Sequence, residues 1–252
     1  MILCGGKGTR IRDVRSDVPK PMVDIAGTPI LHHLMSFYAR QGCSDFVLCL
    51  GYKGDVIREF FGNHGSRSDG IQVTLGFDER LDRPTTETAW NVSLVETGLE
   101  TMTGGRIRRA KSCIGDARFM LTYGDGLSDI DLHALLAHHV RVGKTLTVSG
   151  VRPPSRFGEL SADGDLVTGF NEKPQASSGL ISGGFFVAEN GIFDYLGDSD
   201  ETMFEREPIE RMVSDRQVSV FRHDGFWQCM DTYRDWEFLN ELASKGDAPW
   251  VR

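Results

Sequence analysis

Apolar positions along the first 150 residues follow two regular spacings, and the regularity breaks down afterwards. From Pro29 to Gln41 the apolar side chains Ile30, Leu31, Leu34, Met35, Phe37 and Tyr38 recur every three to four residues. This predicts an amphipathic helix ended by Gly42. Asp45 to Leu50 is a continuous apolar run, which predicts a strand buried on both faces. Gly51 to Gly54 then turns into a second helix, Asp55 to Phe61. Ile71 to Leu75, Trp90 to Val95, Arg118 to Tyr123 and Thr145 to Val151 read as further strands, and Asp131 to Val142 as an amphipathic helix. Strand, helix, strand at this spacing predicts right-handed βαβ units and a parallel sheet. Ligands of such sheets lie beyond the carboxyl ends of the strands.

Beyond Val151 the pattern shifts to short strands and turns, around Arg156 to Leu160, Gly164 to Val167 and Phe170 to Pro174. Ile181 to Val187 reads as a strand opened by Gly183 and Gly184, bare backbone on which a ligand ring could pack. Met203 to Ser214 is expected to be a helix with Glu205, Arg206 and Glu207 in its first turns, and Tyr233 to Ser244 a closing helix. Asn63 to Gly70 is polar and rich in Gly and Ser, hence a loop. Phe77 to Asn91 is charged and aperiodic, and is expected to be mobile or to lie at a subunit contact.

Composition narrows the function. A chain of 252 residues with 40% hydrophobic and 25% charged residues is a soluble globular protein able to bury a sizeable core. The net charge of −8 disfavours nucleic acid and anionic membranes as partners. Five scattered cysteines, Cys4, Cys43, Cys49, Cys113 and Cys229, show no metal-binding spacing. They are expected as reduced thiols in a cytoplasmic protein. No signal peptide is expected, because a glycine loop stands in its place, and no apolar stretch is long enough to span a bilayer.

The chemistry is concentrated at the amino end. The run from Leu3 through Cys4, Gly5, Gly6, Lys7, Gly8 and Thr9 to Arg10 breaks from an apolar pair into a glycine loop, and Lys20 follows between two prolines. Glycines let successive backbone N–H groups face an anion, and Arg10 adds a fork suited to phosphate oxygens. By itself the loop is equally a plain turn. It lacks both the Gly-Lys-Ser/Thr ending of a Walker loop and the Gly-x-Gly-x-x-Gly dinucleotide fingerprint.

Three later features are weaker. Gly104-Gly105 before a basic helix start is either an anion-friendly element or the start of a solvated basic face. Asp125, between glycines at a strand's carboxyl end, is either a cation ligand or part of a tight turn. Lys173 before Pro174 is either an aimed side chain or an exposed loop lysine. His133, His138 and His139 have no apparent partner ligands and are expected at the surface.

Gly-Gly-x-Gly-Thr-Arg followed by Pro19-Lys-Pro-Met22 resembles the signature of sugar-1-phosphate nucleotidyltransferases. The likeness runs on through Met102 to Arg106, Thr122 to Gly126, Arg156 to Gly158, Glu172 to Pro174, Gly183 to Phe186, Glu205 to Pro208, His223 to Gln228, Met230 to Thr232 and Ala248 to Trp250. In this order the motifs are similar to the glucose-1-phosphate cytidylyltransferase branch of that family.

The resemblance implies an α/β fold over residues 1–252, with a Rossmann-like, mixed but mainly parallel sheet flanked by helices and a small β-rich sugar-binding part. It implies a nucleotide-binding half (1–150) and a sugar-phosphate-binding half (151–252). The implied reaction joins CTP and α-D-glucose 1-phosphate to give CDP-glucose and pyrophosphate. Leu3 to Arg10, Lys20, Thr101, Arg106 and Gly124 would then bind the nucleotide, with Arg10, Lys20 and Lys173 catalytic. Asp125, Glu172, Lys173, Gly183 and Gly184 would face the sugar phosphate, and Asp125 and Asp231 would hold Mg²⁺. Homo-oligomers are common in the family.

Departures from the pattern are Cys4 for the usual Ala, Cys229 for a Pro beside Asp231, and a poor match from Asn63 to Asn91. Only Met1 to Leu3 precede Cys4, so the first strand is expected to be short. Arg12 to Val18 also resembles heptose-1-phosphate guanylyltransferases. The same chemistry on another base or on a heptose or cyclitol phosphate, and a non-catalytic nucleotide-binding relative, stand as alternatives.

Overall fold

The computed structural model describes residues 1–8, 17–62, 72–75, 90–153, 159–163, 166–171 and 179–251. In chain order the strands are β1 (Ile2–Leu3), β2 (Asp24–Ile25), β3 (Thr28–Pro29), β4 (Asp45–Leu50), β5 (Gln72–Leu75), β6 (Trp90–Glu96), β7 (Phe119–Tyr123), β8 (Gly126–Ser128), β9 (Leu146–Val151), β10 (Glu159–Asp163), β11 (Leu166–Asn171), β12 (Ile181–Ala188), β13 (Val218–His223) and β14 (Trp227–Cys229). The helices are α1 (Ile30–Arg40), α2 (Gly54–Gly62), α3 (Thr103–Arg109), α4 (Lys111–Ile114), α5 (Leu132–Val142), α6 (Glu207–Ser214) and α7 (Tyr233–Ser244).

Eight strands form one sheet in the order β13-β9-β12-β7-β1-β4-β6-β5. Only β12 and β5 run against their neighbours. From β1 the order runs outward to β4 and β6, then returns to the far side of β1 at β7. A crevice therefore opens beyond the carboxyl ends of β1 and β7, where the strand order reverses. The first strand is only two residues long, yet it sits at the centre, with Leu3 paired to both Cys49 and Tyr123.

Alternation along the central strands divides the core into two layers. Ile2, Leu48 and Leu50 face one cluster with residues of α1, α2, α5 and α7. Leu3, Val47 and Cys49 face the other, with Ile107 of α3 and Met212 of α6. This double burial is why β4 reads as an unbroken apolar run. Strands from both halves of the chain share the sheet: β12 is inserted between β7 and β9, and β13 lies on the far side of β9. The β10–β11 hairpin pairs apart from it.

Two expectations need correction. The helix expected from Met203 begins at Glu207 instead, because Pro208 favours the first helical turn. His133 is exposed and His138 half-buried, but His139 has no exposed surface. Its ring bonds Thr147 at 2.7 Å and Glu189 at 3.1 Å, and burial pushes its pKa down. On the helix His139 shares the inner face with Leu132 and Leu135, and its polarity led to the opposite expectation. The Asn63 to Gly70 loop and nearly all of the Phe77 to Asn91 segment lie outside the described residues.

Candidate active site

A cavity of about 410 Å³ lies beyond the carboxyl ends of β1 and β7. The glycine loop from Leu3 to Gly8 forms one wall, and Lys20, Thr101, Arg106, Gly124, Asp125 and Asp231 complete it. All the nucleotide and metal residues expected from sequence that fall within the described residues thus converge on one space. Thr9, Arg10, Glu172 and Lys173 lie outside the described residues.

The loop is held from below by a buried cation. Arg106 is 4% exposed and donates to the carbonyls of Gly5 at 3.0 Å, Leu50 at 2.9 Å and Gly98 at 2.7 Å, and to the Thr97 hydroxyl at 2.8 Å. A Cβ at Gly5 would sit 2.1 Å from its guanidinium, so position 5 must be glycine for the arginine to reach the backbone. Arg106 is therefore neither part of a solvated basic face nor aimed freely at an anion. Arg108 and Arg109 of the same helix pair with Asp200. Nor are the N–H groups of Gly104 and Gly105 free for an anion, since both point at the Thr202 carbonyl. The second anion-friendly element is thus a packing element, corrected by contacts with a segment distant in sequence.

The charged centre is Lys20 with two carboxylates. Lys20 stands in a 3-10 turn (Lys20–Met22) after Pro19, and its Nζ lies 2.7 Å from Asp125 Oδ2 and 2.6 Å from Asp231 Oδ1. Burial alone would depress the Lys20 pKa, but the two carboxylates outweigh it and raise it above the usual lysine value. Asp125 follows β7 and Asp231 follows β14, more than a hundred residues later. Antiparallel pairing of β8 with β14 brings them together, and the Met230 N–H donates to the Asp125 carbonyl at 2.9 Å.

A capping box then fixes Asp231. Thr232 caps α7, and Asp235 reaches back to accept from the backbone N–H groups of Asp231 at 3.0 Å and Thr232 at 2.8 Å. Cys229, beside this pair, donates its thiol to Asp231 Oδ2 at 3.7 Å. Burial, then the nearby Asp231 and Asp125 charges, push the Cys229 pKa up to about 12, so it stays a protonated donor.

Gly183 and Gly184 do not line this cavity. The Cβ direction of Gly183 points at Ser149 and Val151, and that of Gly184 at the Tyr123 ring, so neighbouring side chains occupy those two directions. Sequence reasoning left out Tyr123, Thr103 and the rim formed by Leu99 and Glu100. Tyr123 was visible only as a neighbour of Gly124-Asp125. Lys7 reaches Glu100 across the mouth at 2.7 Å.

Among the described residues no group of three His, Cys, Asp or Glu side chains is arranged to hold a metal. Two hard carboxylate oxygens with room for phosphate beside them suit Mg²⁺, which usually keeps several waters and takes one or two carboxylates plus substrate oxygens. The site can therefore grip a polyphosphate with backbone N–H groups and a lysine, and can offer a hard cation two oxygens at one end.

The chain is similar to known proteins over nearly its whole length. Residues 1–237 match the family described as nucleotidyl transferase. The chain is 42% identical over 252 residues to a probable glucose-1-phosphate cytidylyltransferase of Bacillus subtilis (strain 168), covering 99% of this chain and 98% of that protein. It is 41% identical to the glucose-1-phosphate cytidylyltransferase of Salmonella typhi, covering 99% of this chain and 97% of that one. The crystal structure of HddC from Yersinia pseudotuberculosis complexed with GMP-PN aligns with a TM-score of 0.68 at 26% identity, over 96% of this chain and 97% of that chain.

Proposed function

The chain belongs to the nucleotidyl transferase family, and on that footing we infer that it joins CTP to α-D-glucose 1-phosphate, giving CDP-glucose and pyrophosphate. The observation that carries this reading is the meeting of the glycine loop, Lys20, Asp125 and Asp231 in one cavity. The choice of cytosine and glucose rests on the full-length likeness to the two cytidylyltransferases.

A phosphate oxygen of the sugar phosphate attacks the α-phosphorus of the triphosphate, and pyrophosphate leaves in line. The nucleophile is already ionised at neutral pH, so no general base is required. What the protein must supply is position and charge neutralisation. The loop N–H groups and Lys20 hold the triphosphate, and Arg106 keeps the loop in shape by tying Gly5 to Leu50 and Gly98. Arg10 is assigned to the leaving pyrophosphate and Lys173, with Glu172 and the Gly183-Gly184 backbone, to the sugar phosphate. Asp125 and Asp231 are assigned to Mg²⁺, which when bound would neutralise phosphate charge at the reacting centre. Residues 1–150 would carry the nucleotide and 151–252 the sugar phosphate. We place the enzyme in the cytoplasm as a homo-oligomer; among the described residues no helix is long and apolar enough to cross a membrane.

A second reading keeps the chemistry and changes the substrates to a guanine nucleotide and a heptose phosphate. It is favoured by the Arg12 to Val18 run and by the likeness to HddC, solved with GMP-PN. Pyrophosphate release with Mg²⁺ and glucose 1-phosphate, offered CTP, UTP, GTP, ATP and dTTP in parallel, tests both. Release with CTP alone supports the first reading. GTP-dependent release, with glucose 1-phosphate or a heptose 1-phosphate, supports the second. Silence with every pair excludes both.

A further inference from the structure

Glu205 stands before α6, outside every role assigned so far, yet both of its oxygens are engaged at the cavity rim. The Tyr123 hydroxyl donates to Oε1 at 2.5 Å and the Thr103 hydroxyl to Oε2 at 2.6 Å. Tyr123 and Thr103 both line the cavity, from different elements. One exposed carboxylate thus ties the end of β7 to the start of α3.

The two hydroxyls depend on it unequally. Thr103 lies in the first turn of α3 and also accepts from the Phe204 N–H at 2.9 Å, so it keeps its place without Glu205. The Tyr123 hydroxyl is held by Glu205. The Tyr123 ring packs edge-on against Phe186 at 5.9 Å and fills the Cβ direction of Gly184. Gly184 has φ +76°, so that position favours glycine both for its backbone and for the ring above it. Tyr123 also leads directly into Gly124 and Asp125. Its side chain therefore borders both the cavity and the Gly183-Gly184 segment.

We propose that Glu205 is a positioning residue for the sugar phosphate, acting by locking Tyr123 across the boundary between the triphosphate cavity and the Gly183-Gly184 segment. This rests on the reading that the Gly183-Gly184 side receives the sugar phosphate. Loss of the lock lets the Tyr123 ring swing, which alters the sugar side while the glycine loop, held by Arg106, is untouched.

The test is steady-state kinetics on Glu205→Ala, Glu205→Gln, Tyr123→Phe and the Glu205→Ala/Tyr123→Phe double variant, with the nucleotide and sugar 1-phosphate that the wild type turns over. Losing one hydrogen bond to a charged group predicts a rise in KM for the sugar 1-phosphate of about tenfold in Glu205→Ala and in Tyr123→Phe. The nucleotide KM and kcat should stay within about threefold. The double variant should be no worse than either single one, since both remove the same contact. Glu205→Gln, whose amide oxygen still accepts from Tyr123, should recover most of the affinity. A sugar-phosphate KM that does not move, or equal rises in both KM values alongside a lowered melting temperature, overturns the proposal and leaves the proposed function standing. A wild type that turns over no sugar 1-phosphate overturns both.

Discussion

At the scale of single residues, Lys20 sets the electrostatics. It holds Asp125 and Asp231 together by charge, in the space that a hard cation would share with phosphate. Asp125→Asn, Asp231→Asn and Lys20→Ala should each cut turnover by about 10²-fold or more while far-UV circular dichroism stays native. Near-normal rates in any of them would remove that residue from the mechanism. Lys20→Met also removes the ammonium group that the two carboxylates share. Its melting temperature should rise more on adding MgCl₂ than that of the wild type, and an equal or smaller rise would show that the pair does not receive the ion. Arg106 is a different kind of cation. Arg106→Met takes the guanidinium donor from the Gly98 carbonyl and from those of Gly5 and Leu50, which keep the Tyr52 and Thr97 N–H groups, and should cost roughly 2–3 kcal/mol in urea unfolding together with a raised nucleotide KM. Unchanged stability would refute the anchoring role.

At the scale of elements, α1 is pinned to the closing 3-10 turn (Pro249–Val251) through a histidine whose protonation state can be read from its partners. His33 Nε2 donates to the Ile25 carbonyl at 2.9 Å, while Nδ1 accepts from the Trp250 indole N–H at 3.3 Å. A proton on Nδ1 would face another donor, so the ring is neutral in the folded state. Burial, with a smaller push from Arg40, lowers its pKa below the usual histidine value despite the Ile25 carbonyl and Asp24. The sign follows from proton uptake: below about pH 6.5 the unfolded chain binds a proton that the folded chain resists. The His33 contribution is thus present above that pH and lost as pH falls through the folded value. His139, also held below the usual value, adds the same sign. Melting temperature should fall from pH 7 to pH 5, and more shallowly in His33→Gln. Identical slopes would assign the loss to other groups.

At the scale of the molecule, the last turn closes the layer that carries the carboxylate pair. Trp250 is fully buried against α1, and its ring lies 5.6 Å from that of Phe226, just before β14. Trp250→Ala should cost about 3–5 kcal/mol, since the cavity opens between elements that cannot all collapse into it. A loss below about 1 kcal/mol would mean that the turn is not part of the core. The effect should reach Asp231, because β14 and the α7 cap together set its position.

Much was legible in the order of residues. Double burial of β4 and the one-sided stripe of α1 are local periodicities that a chain must display to bury those surfaces, so both elements appear at nearly their observed bounds. The glycine loop, Lys20 and the two aspartates were singled out through the ordered motifs of the family resemblance, since the loop and Asp125 by themselves read equally as turns, and the fold brings all of them to one cavity. What each polar side chain faces depends on partners remote in sequence, and only the tertiary structure decided it. The Gly104-Gly105 N–H groups are spent on Thr202, Arg106 is buried under Gly5, and His139 turns inward to Thr147 and Glu189. The ring of Tyr123 fills the space over Gly184, and Glu205 closes on it from 82 residues along the chain. Periodicity reports which face is buried. Against what it is buried is a matter of long-range pairing, and the use of Glu205 became visible only when the fold brought β7, α3 and α6 to one rim.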